Sequence, residues 1–226
     1  MTGPHPDPLQ ETPPALPALP FDRNFMLSLD PELKTPHSRT QITLDHLRSV
    51  GLEVELFRGF DGARSGLTTE FTYEIDHPGT NYRIGARTIS LYLGHTAMWR
   101  MCEVLDGDSF LILEDDVRFN PGWEEHFAFA IPALPEDWDL LYIGSCCAQG
   151  HGHHPRQVSG HLHQVGYALC THAYAVRKKA LPVLIDACER IYAGIDIAMC
   201  LHGIPHLKTY AFLPRLADQF QTDIAP

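Results

Sequence analysis

The chain contains the run Ser109-Phe110-Leu111-Ile112-Leu113-Glu114-Asp115-Asp116, in which four large apolar residues lead directly into three carboxylates. A short, nearly all-apolar run is typical of a strand that is covered on both faces of a sheet. In open α/β sheets, ligands gather beyond the carboxyl ends of the strands. The run therefore predicts a central strand whose acidic end lies at a ligand site.

Strands and helices alternate on both sides of this run. Apolar and alternating patterns predict strands at 25–29, 53–57, 139–144, 172–176 and 208–213. Helical spacing predicts helices at 38–50, 86–105, 123–130 and 178–192. Residues 58–82 are rich in Gly, Thr and Asp, which predicts a loop region with a short strand near 71–73. The alternation predicts an α/β fold with a central, mostly parallel sheet and helices on both faces.

The first 20 residues differ in composition from the rest of the chain. They contain seven prolines, and proline can propagate neither a helix nor a central strand. We therefore expect a Pro-rich, disordered tail at 1–20, followed by a single folded domain at 21–226.

The composition excludes several classes of protein. Hydrophobic residues make up 44% of the chain, which is enough for a core and rules out a wholly disordered or fibrous protein. Asp and Glu total 28 against 17 Lys and Arg, a formal charge of -11. Because attraction to phosphate backbones and anionic lipids requires excess positive charge, we expect no nucleic-acid partner.

The sequence also indicates a compartment. No segment approaches the roughly 20 apolar residues of a membrane span, and the N-terminus lacks the basic and apolar regions of a secretory signal. The six cysteines show no CxxC spacing, so we expect reduced thiols, several of them buried. We therefore predict a cytoplasmic protein that associates with membranes only peripherally, if its acceptor lies there.

The three carboxylates predict a metal site. Adjacent acidic groups repel one another unless a cation lies among them, and Mg²⁺ and Mn²⁺ prefer carboxylate oxygens. In an extended backbone Glu114 and Asp116 point to the same side, whereas Asp115 points to the other, toward a ribose hydroxyl or a backbone cap. The alternative is that Asp115 and Asp116 only cap a turn or a helix start. The three carboxylates alone are compatible with both interpretations, metal binding and capping.

The surrounding residues resemble a known family. The run from Phe110 to Phe119 reads F-L-I-L-E-D-D-V-R-F and resembles the "hydrophobic strand, E-D-D, V-x-F" signature of glycosyltransferase family 25, which includes lipopolysaccharide glycosyltransferases and procollagen galactosyltransferases. Other resembling stretches follow in the family's order at 26–30, 52–62, 94–99, 137–144 and 171–181. The resemblance extends from about residue 24 to about residue 224. It departs at Gly94, where the family has serine, and at 63–88, which match nothing in the family pattern.

The resemblance implies a GT-A-like nucleotide-sugar-binding fold, a divalent metal (Mn²⁺ or Mg²⁺) and transfer with inversion. It also implies a nucleoside-diphosphate sugar donor, with UDP and a hexose such as galactose expected, and a saccharide or other hydroxyl-bearing acceptor, as in lipopolysaccharide biosynthesis. Glu114 and Asp116 are the candidate ligands of that metal, and Asp196, which matches an aspartate of the family, is the candidate general base. The residues assigned to the donor and its cofactor are Arg39, Asp61, His95, Asp115 and Gln219.

Several of these residues have a simpler interpretation. Asp196 could cap a short helix that reaches His202. His95 lies in an apolar helix, where a histidine bonded within the core is the default. Arg39, and Lys34 beside it in the same loop, would ordinarily be solvated surface charges.

A histidine-rich segment lies outside the family pattern. It contains five histidines between glycines and a proline: His151, His153, His154, His161 and His163. Imidazoles at such spacing can bind Zn²⁺, Ni²⁺ or Cu²⁺. We interpret the segment instead as a mobile loop that covers the acceptor.

Three functional hypotheses remain at this stage. The first is a metal-dependent glycosyltransferase, because a metal can stabilise the charge of a departing diphosphate. The second is a metal-dependent phosphohydrolase that uses the same carboxylates. The third is a non-catalytic module that binds a nucleotide sugar or a metal ion.

Overall fold

The computed structural model describes residues 19–29, 38–68, 71–74, 81–146, 148 and 153–220. Residues 1–18 of the predicted tail lie outside the described residues, as do Lys34, Cys147 and His151. The helices are α1 (Arg39–Ser49), α2 (Ala86–Val104), α3 (Trp123–Ala130), α4 (Leu181–Ala187) and α5 (Ile195–Ala198). The strands are β1 (Arg23–Ser28), β2 (Glu55–Arg58), β3 (Phe71–Glu74), β4 (Asn81–Ile84), β5 (Ser109–Glu114), β6 (Val117–Phe119), β7 (Leu140–Gly144), β8 (Arg156–Ser159), β9 (Leu162–Gln164), β10 (Ala173–Arg177), β11 (Thr209–Phe212) and β12 (Ala217–Gln219).

Eight strands form the central sheet, in the order β2-β1-β5-β10-β7-β11-β9-β8. Six of them run in one direction, while β10 and β9 are antiparallel to their neighbours. Two small antiparallel pairs, β3–β4 and β6–β12, lie outside this sheet. The predicted mostly parallel α/β sheet is confirmed, and it agrees with the GT-A-like nucleotide-sugar-binding fold that the resemblance implies.

Strand β5 is buried along its whole length. Its side chains alternate, as the pleat of a strand requires. Phe110 and Ile112 pack into one core with residues of α2, α4 and α5, whereas Leu111 and Leu113 pack into a second core with residues of α1 and α3. Helices therefore cover both faces of the sheet, which explains why the run has no polar side.

The histidine-rich segment does not form the predicted loop over its whole length. Residues 156–164 form the hairpin β8–β9, and β9 pairs with β11 at the edge of the central sheet. The hairpin turns at Gly160, whose φ of 50° lies in the left-handed region that favours glycine. Leu162 of β9 is buried and attaches this strand to the core. The sequence pattern does not reveal the strand, because histidines flank this leucine on both sides.

The prediction that all cysteines are reduced thiols is wrong for one pair. Cys146 and Cys170 form a disulfide, with 5.6 Å between their Cα atoms. Because β7 and β10 are paired, the end of β7 lies beside the segment that leads into β10. Among the described residues, the free cysteines are Cys102, Cys188 and Cys200, and all three are buried.

Two further differences concern helices and the domain start. The predicted helix at 178–192 begins as a 3₁₀ turn and continues only as α4, with Pro182 in its first turn. Leu19 and Phe21 are buried in the second core, so Leu19, which the sequence assigned to the tail, packs with the folded domain. None of the described helices combines the length and hydropathy that a membrane span requires.

Candidate functional site

A cavity of about 880 Å³ opens beside the carboxyl end of β5. Segments from across the chain converge on it, including the ends of β1 and β5, the starts of α1, α2 and α5, and β12. It brings together most of the residues predicted for the site: Arg39, Asp61, Glu114, Asp115, Asp116, Asp196 and Gln219. The remaining predicted residue, His95, does not line it.

Glu114 is the last residue of β5. Its side chain is buried and lines the cavity. Its Oε1 accepts hydrogen bonds from the Thr171 hydroxyl, at 2.6 Å, and from His95 Nε2, at 3.3 Å. Burial by itself would raise the pKa of this carboxyl, but the bonds from His95 and Thr171 outweigh it and hold the pKa below its usual value. Glu114 is therefore ionised and fixed in orientation.

His95 lies behind Glu114 and has no exposed surface. Trp99 Nε1 donates to the Tyr174 hydroxyl, at 2.8 Å, and that hydroxyl lies 2.9 Å from His95 Nδ1. If the Tyr174 hydroxyl donates to Nδ1, then Nε2 carries the proton and donates to Glu114. His95 therefore positions Glu114 from within the core, which agrees with the default for a histidine in an apolar helix. It does not line the cavity, as its assignment to the donor required.

Asp115 is held on the opposite side of the strand. Its Oδ2 accepts from the Ser28 hydroxyl at 2.7 Å and from the Thr40 hydroxyl at 3.2 Å, while Arg39 pairs with Oδ1. The Thr43 hydroxyl also donates to the Asp115 carbonyl. Asp115 thus fixes the start of α1 and orients Arg39, rather than presenting a free carboxylate to the cavity.

Of the three carboxylates, Asp116 is the one most available to a metal ion. Its Oδ1 is buried and has no hydrogen-bond partner in the part of the chain that the structure describes. Its Oδ2 lies 3.5 Å from Gln219 Nε2 and 3.7 Å from Arg39 Nη1. Burial and the neighbouring Glu114 charge raise the pKa of Asp116 to about 6. A buried carboxylate oxygen without a partner beside a second carboxylate fits a hard divalent cation.

Cationic groups line the same cavity. Arg64 and Arg87 line it together with Arg39, and Arg87 lies in the first turn of the 19-residue helix α2. The residue before this helix is Gly85, which has no side chain to cap the first N–H groups, and such an N-terminus favours anions. Asp61 Oδ1 accepts from the Arg64 backbone N–H, and Asp61 Oδ2 lies 3.5 Å from Arg64 Nε. Asp61 therefore orients Arg64, as Asp115 orients Arg39.

Sequence reasoning missed Arg64 and Arg87. Both fall in the segment 63–88, which matches nothing in the family pattern. The one local signal is the start of a helix after Gly85 with an arginine, and no acidic residue, in its first turn. Their position at the cavity follows from tertiary packing.

Asp196 lies at the start of α5 and lines the cavity. Its Oδ2 accepts from the Cys170 N–H at 3.0 Å, and its Oδ1 accepts from the Ile197 N–H at 2.9 Å. The N-cap of this helix is Gly194, so the alternative in which Asp196 is the cap is not observed. The carboxylate instead ties α5 to the segment that leads into β10.

Comparisons with known proteins place the chain in a family. Residues 21–147, more than half of the chain, match the family model described as "Glycosyltransferase family 25 (LPS biosynthesis protein)". Similar relatives include a "Glycosyltransferase 25 family member" of Anopheles gambiae, 27% identical over 163 residues, and "Procollagen galactosyltransferase 2" of Homo sapiens, 27% identical over 135 residues. The alignments cover 67% and 55% of this chain, but only 26% and 21% of those relatives. The chain thus spans about a quarter of their length.

Among solved structures, a mannose-1-phosphate geranyltransferase from Thermus thermophilus aligns with a TM-score of 0.40 at 12% identity. That alignment covers 87% of this chain and 75% of the other. The family model, by contrast, includes β5 and all three carboxylates of the cavity. The chain belongs to glycosyltransferase family 25.

Proposed function

We propose that this chain transfers a hexosyl group from a nucleoside-diphosphate sugar to a hydroxyl group of a saccharide or other hydroxyl-bearing acceptor, with inversion. UDP-galactose is the first donor to test, because the name of the human relative specifies galactose transfer. The observation that carries the proposal is that Asp116 shares one cavity with three arginines, and that its buried Oδ1 has no hydrogen-bond partner among the described residues. Such a cavity suits a metal-bound diphosphate.

Glu114 and Asp116 would hold the divalent cation, Mn²⁺ or Mg²⁺. Both supply hard oxygen ligands, and both line the cavity. When bound, the cation would act as a Lewis acid that stabilises negative charge on the departing diphosphate. His95 and Thr171 keep the Glu114 carboxylate ionised and aimed into the cavity.

Arg39, Arg64 and Arg87 would bind the donor phosphates. Asp115 and Asp61 each orient one of these arginines, which lowers the conformational entropy lost when a phosphate binds. The N–H groups in the first turn of α2, which receive no side-chain cap from Gly85, would add to this anion-binding side.

Asp196 would take the proton of the acceptor hydroxyl. Inversion in a single displacement requires a base on the face opposite the leaving group. Asp196 is the carboxylate of the cavity that comes from α5, at a distance in sequence from the Glu114–Asp116 cluster. Two backbone N–H groups hold its side chain in place.

Product analysis tests the proposal. The protein is incubated with UDP-galactose and a panel of saccharide acceptors in Mn²⁺, Mg²⁺ or chelator, and both the nucleotide and the sugar products are identified. We expect UDP and a new glycoside of inverted configuration, formed only with metal. Asp116→Asn should lower turnover at least about 100-fold, the scale typical of losing one electrostatic group at a transition state. Asp45→Asn, a change at an exposed carboxylate of α1, is the matched control and should leave turnover unchanged.

The same assay distinguishes the two alternative functions. Free phosphate or UMP as the product would indicate a phosphohydrolase instead. Metal-dependent UDP binding without turnover across the panel would indicate a binding module. Undiminished transfer by Asp116→Asn would contradict the assigned metal site.

A further inference from the structure

A second group of metal-ligating side chains lies at one side of the cavity, which Cys170 helps to line, and these side chains have no role in the proposed transfer. The sulfurs of Cys146 and Cys170 and one ring nitrogen of His172 all lie within 4.8 Å of one another. Cys146 follows β7, whereas Cys170 and His172 belong to the segment that leads into β10. In the structure the two sulfurs are joined as a disulfide.

The hydrogen bonding of His172 leaves one of its ring nitrogens available to a metal ion. It is 1% exposed. Its Nε2 lies 3.1 Å from the Ala217 carbonyl, and a carbonyl can only accept, so Nε2 carries the proton and Nδ1 keeps a free lone pair. Nδ1 is buried and lacks a hydrogen-bond partner among the described residues. In metal sites, a carbonyl that holds one ring nitrogen commonly orients the other toward the metal.

The two cysteines are held in place by bonds other than the disulfide. The Cys146 N–H donates to the Leu169 carbonyl at 3.0 Å, and the Cys170 N–H donates to Asp196. Cys170 also has a φ of 67°, a left-handed conformation that a residue with a side chain keeps only where its surroundings impose it. Breaking the sulfur–sulfur bond would therefore leave both thiols near His172. Cys146 is exposed, so a reductant and a metal ion can reach the pair.

We propose that Cys146, Cys170 and His172 form a second metal site, which takes Zn²⁺ when the disulfide is reduced. A dithiol reductant supplies two electrons and two protons to the disulfide and becomes a disulfide itself. Zinc binding then displaces both thiol protons, and two thiolates and a neutral imidazole become three ligands with solvent in the fourth position. Thiolate and imidazole ligands select Zn²⁺ over Mg²⁺ and Mn²⁺, so this site and the carboxylate site bind different cations.

The site adjoins the proposed catalytic cavity through Cys170 and Gln219, which both line it. The Gln219 Oε1 lies 3.9 Å from Cys146 Sγ, and its Nε2 lies 3.5 Å from Asp116. The proposal nevertheless stands apart from the proposed transfer, because its ligands and its metal are different.

Cobalt substitution tests the site directly. The full chain is reduced with a phosphine under anaerobic conditions, its free thiols are counted, and Co²⁺ is titrated while the absorption spectrum is recorded; Zn²⁺ is then added to displace it. We expect two additional thiols on reduction, then a thiolate-to-cobalt charge-transfer band that saturates at one equivalent and disappears with Zn²⁺. Such a band requires a cysteine ligand, so carboxylate binding cannot produce it.

Matched variants assign the ligands. Cys146→Ser and Cys170→Ser should each abolish most of the band. His172→Asn should weaken Zn²⁺ binding by more than about 100-fold, because loss of an outer partner alone costs 10–100-fold. Cys102→Ala, at a buried thiol elsewhere, and Asp116→Asn should both leave the titration unchanged. A disulfide that resists reduction in the folded protein, or reduced wild-type protein without the band, would overturn the proposal, whatever the result of the transfer assay.

Discussion

At the residue scale, the three adjacent carboxylates have different roles. Asp115 accepts from Ser28, Thr40 and Arg39, so Asp115→Asn should lower the free energy of unfolding by about 2 kcal/mol, the scale of losing hydrogen bonds to a buried charged group. Asp116 is a partly buried charge whose pKa is raised to about 6 by burial and by the neighbouring Glu114 in spite of Arg39, so Asp116→Asn should keep or increase stability at pH 7.5 in chelator. Urea unfolding of both variants measures this contrast. Equal losses of stability in the two variants would contradict the different roles assigned to Asp115 and Asp116.

His46 provides a pH dependence at the same scale. The Phe119 N–H donates to His46 Nε2 at 2.9 Å, which requires a neutral ring, and burial lowers the pKa of His46 below 6.5. The unfolded chain therefore binds the proton more readily, so this contribution to stability is complete above pH 6.5 and is lost as the pH falls through the folded-state pKa. His46→Gln, which can still accept the bond, should flatten the stability profile between pH 7 and pH 5. An unchanged slope in urea unfolding would exclude His46 as its source.

At the element scale, the contact of β7 with β10 and β12 depends on a glycine. A Cβ on Gly144 would lie 2.2 Å from His172 Nε2 and 2.6 Å from the Ala217 carbonyl oxygen, and the second atom is backbone. Gly144→Ala should therefore cost about 3 kcal/mol or more, at the upper end for overpacking. Gly203→Ala is the control, because its nearest contacts at 3.1 Å and 3.6 Å are side-chain atoms of Leu184 and Ala187. Urea unfolding should show a clearly larger loss for Gly144→Ala.

The length of an element decides how well the sequence predicts it. Strand β5 and helix α2 have long, clear patterns, and the predicted ends differ from the structure by one residue. The three-residue strands β6, β9 and β12 are too short to show a period. The acidic run and the family resemblance together identified seven residues that line the cavity. The resemblance also assigned His95 to the donor, whereas the apolar pattern of its helix favoured the core position that the structure shows. The two disulfide partners lie 24 residues apart in the sequence, and no sequence motif connects them. They are neighbours only because β7 pairs with β10.

At the scale of the whole molecule, ligand binding should be visible as stability. A ligand that binds only the folded chain adds about 2.7 kcal/mol at 100 times its Kd, and each kcal/mol raises Tm by about 2–4 °C in a domain of this size. We therefore expect UDP with Mn²⁺ to raise Tm by about 5–10 °C, and UDP in chelator to raise it much less, because the carboxylates would repel the diphosphate. Asp116→Asn should lose the metal-dependent part, whereas Asp45→Asn should retain it. A shift of equal size in chelator would mean that the arginines bind the nucleotide without help from Glu114 and Asp116.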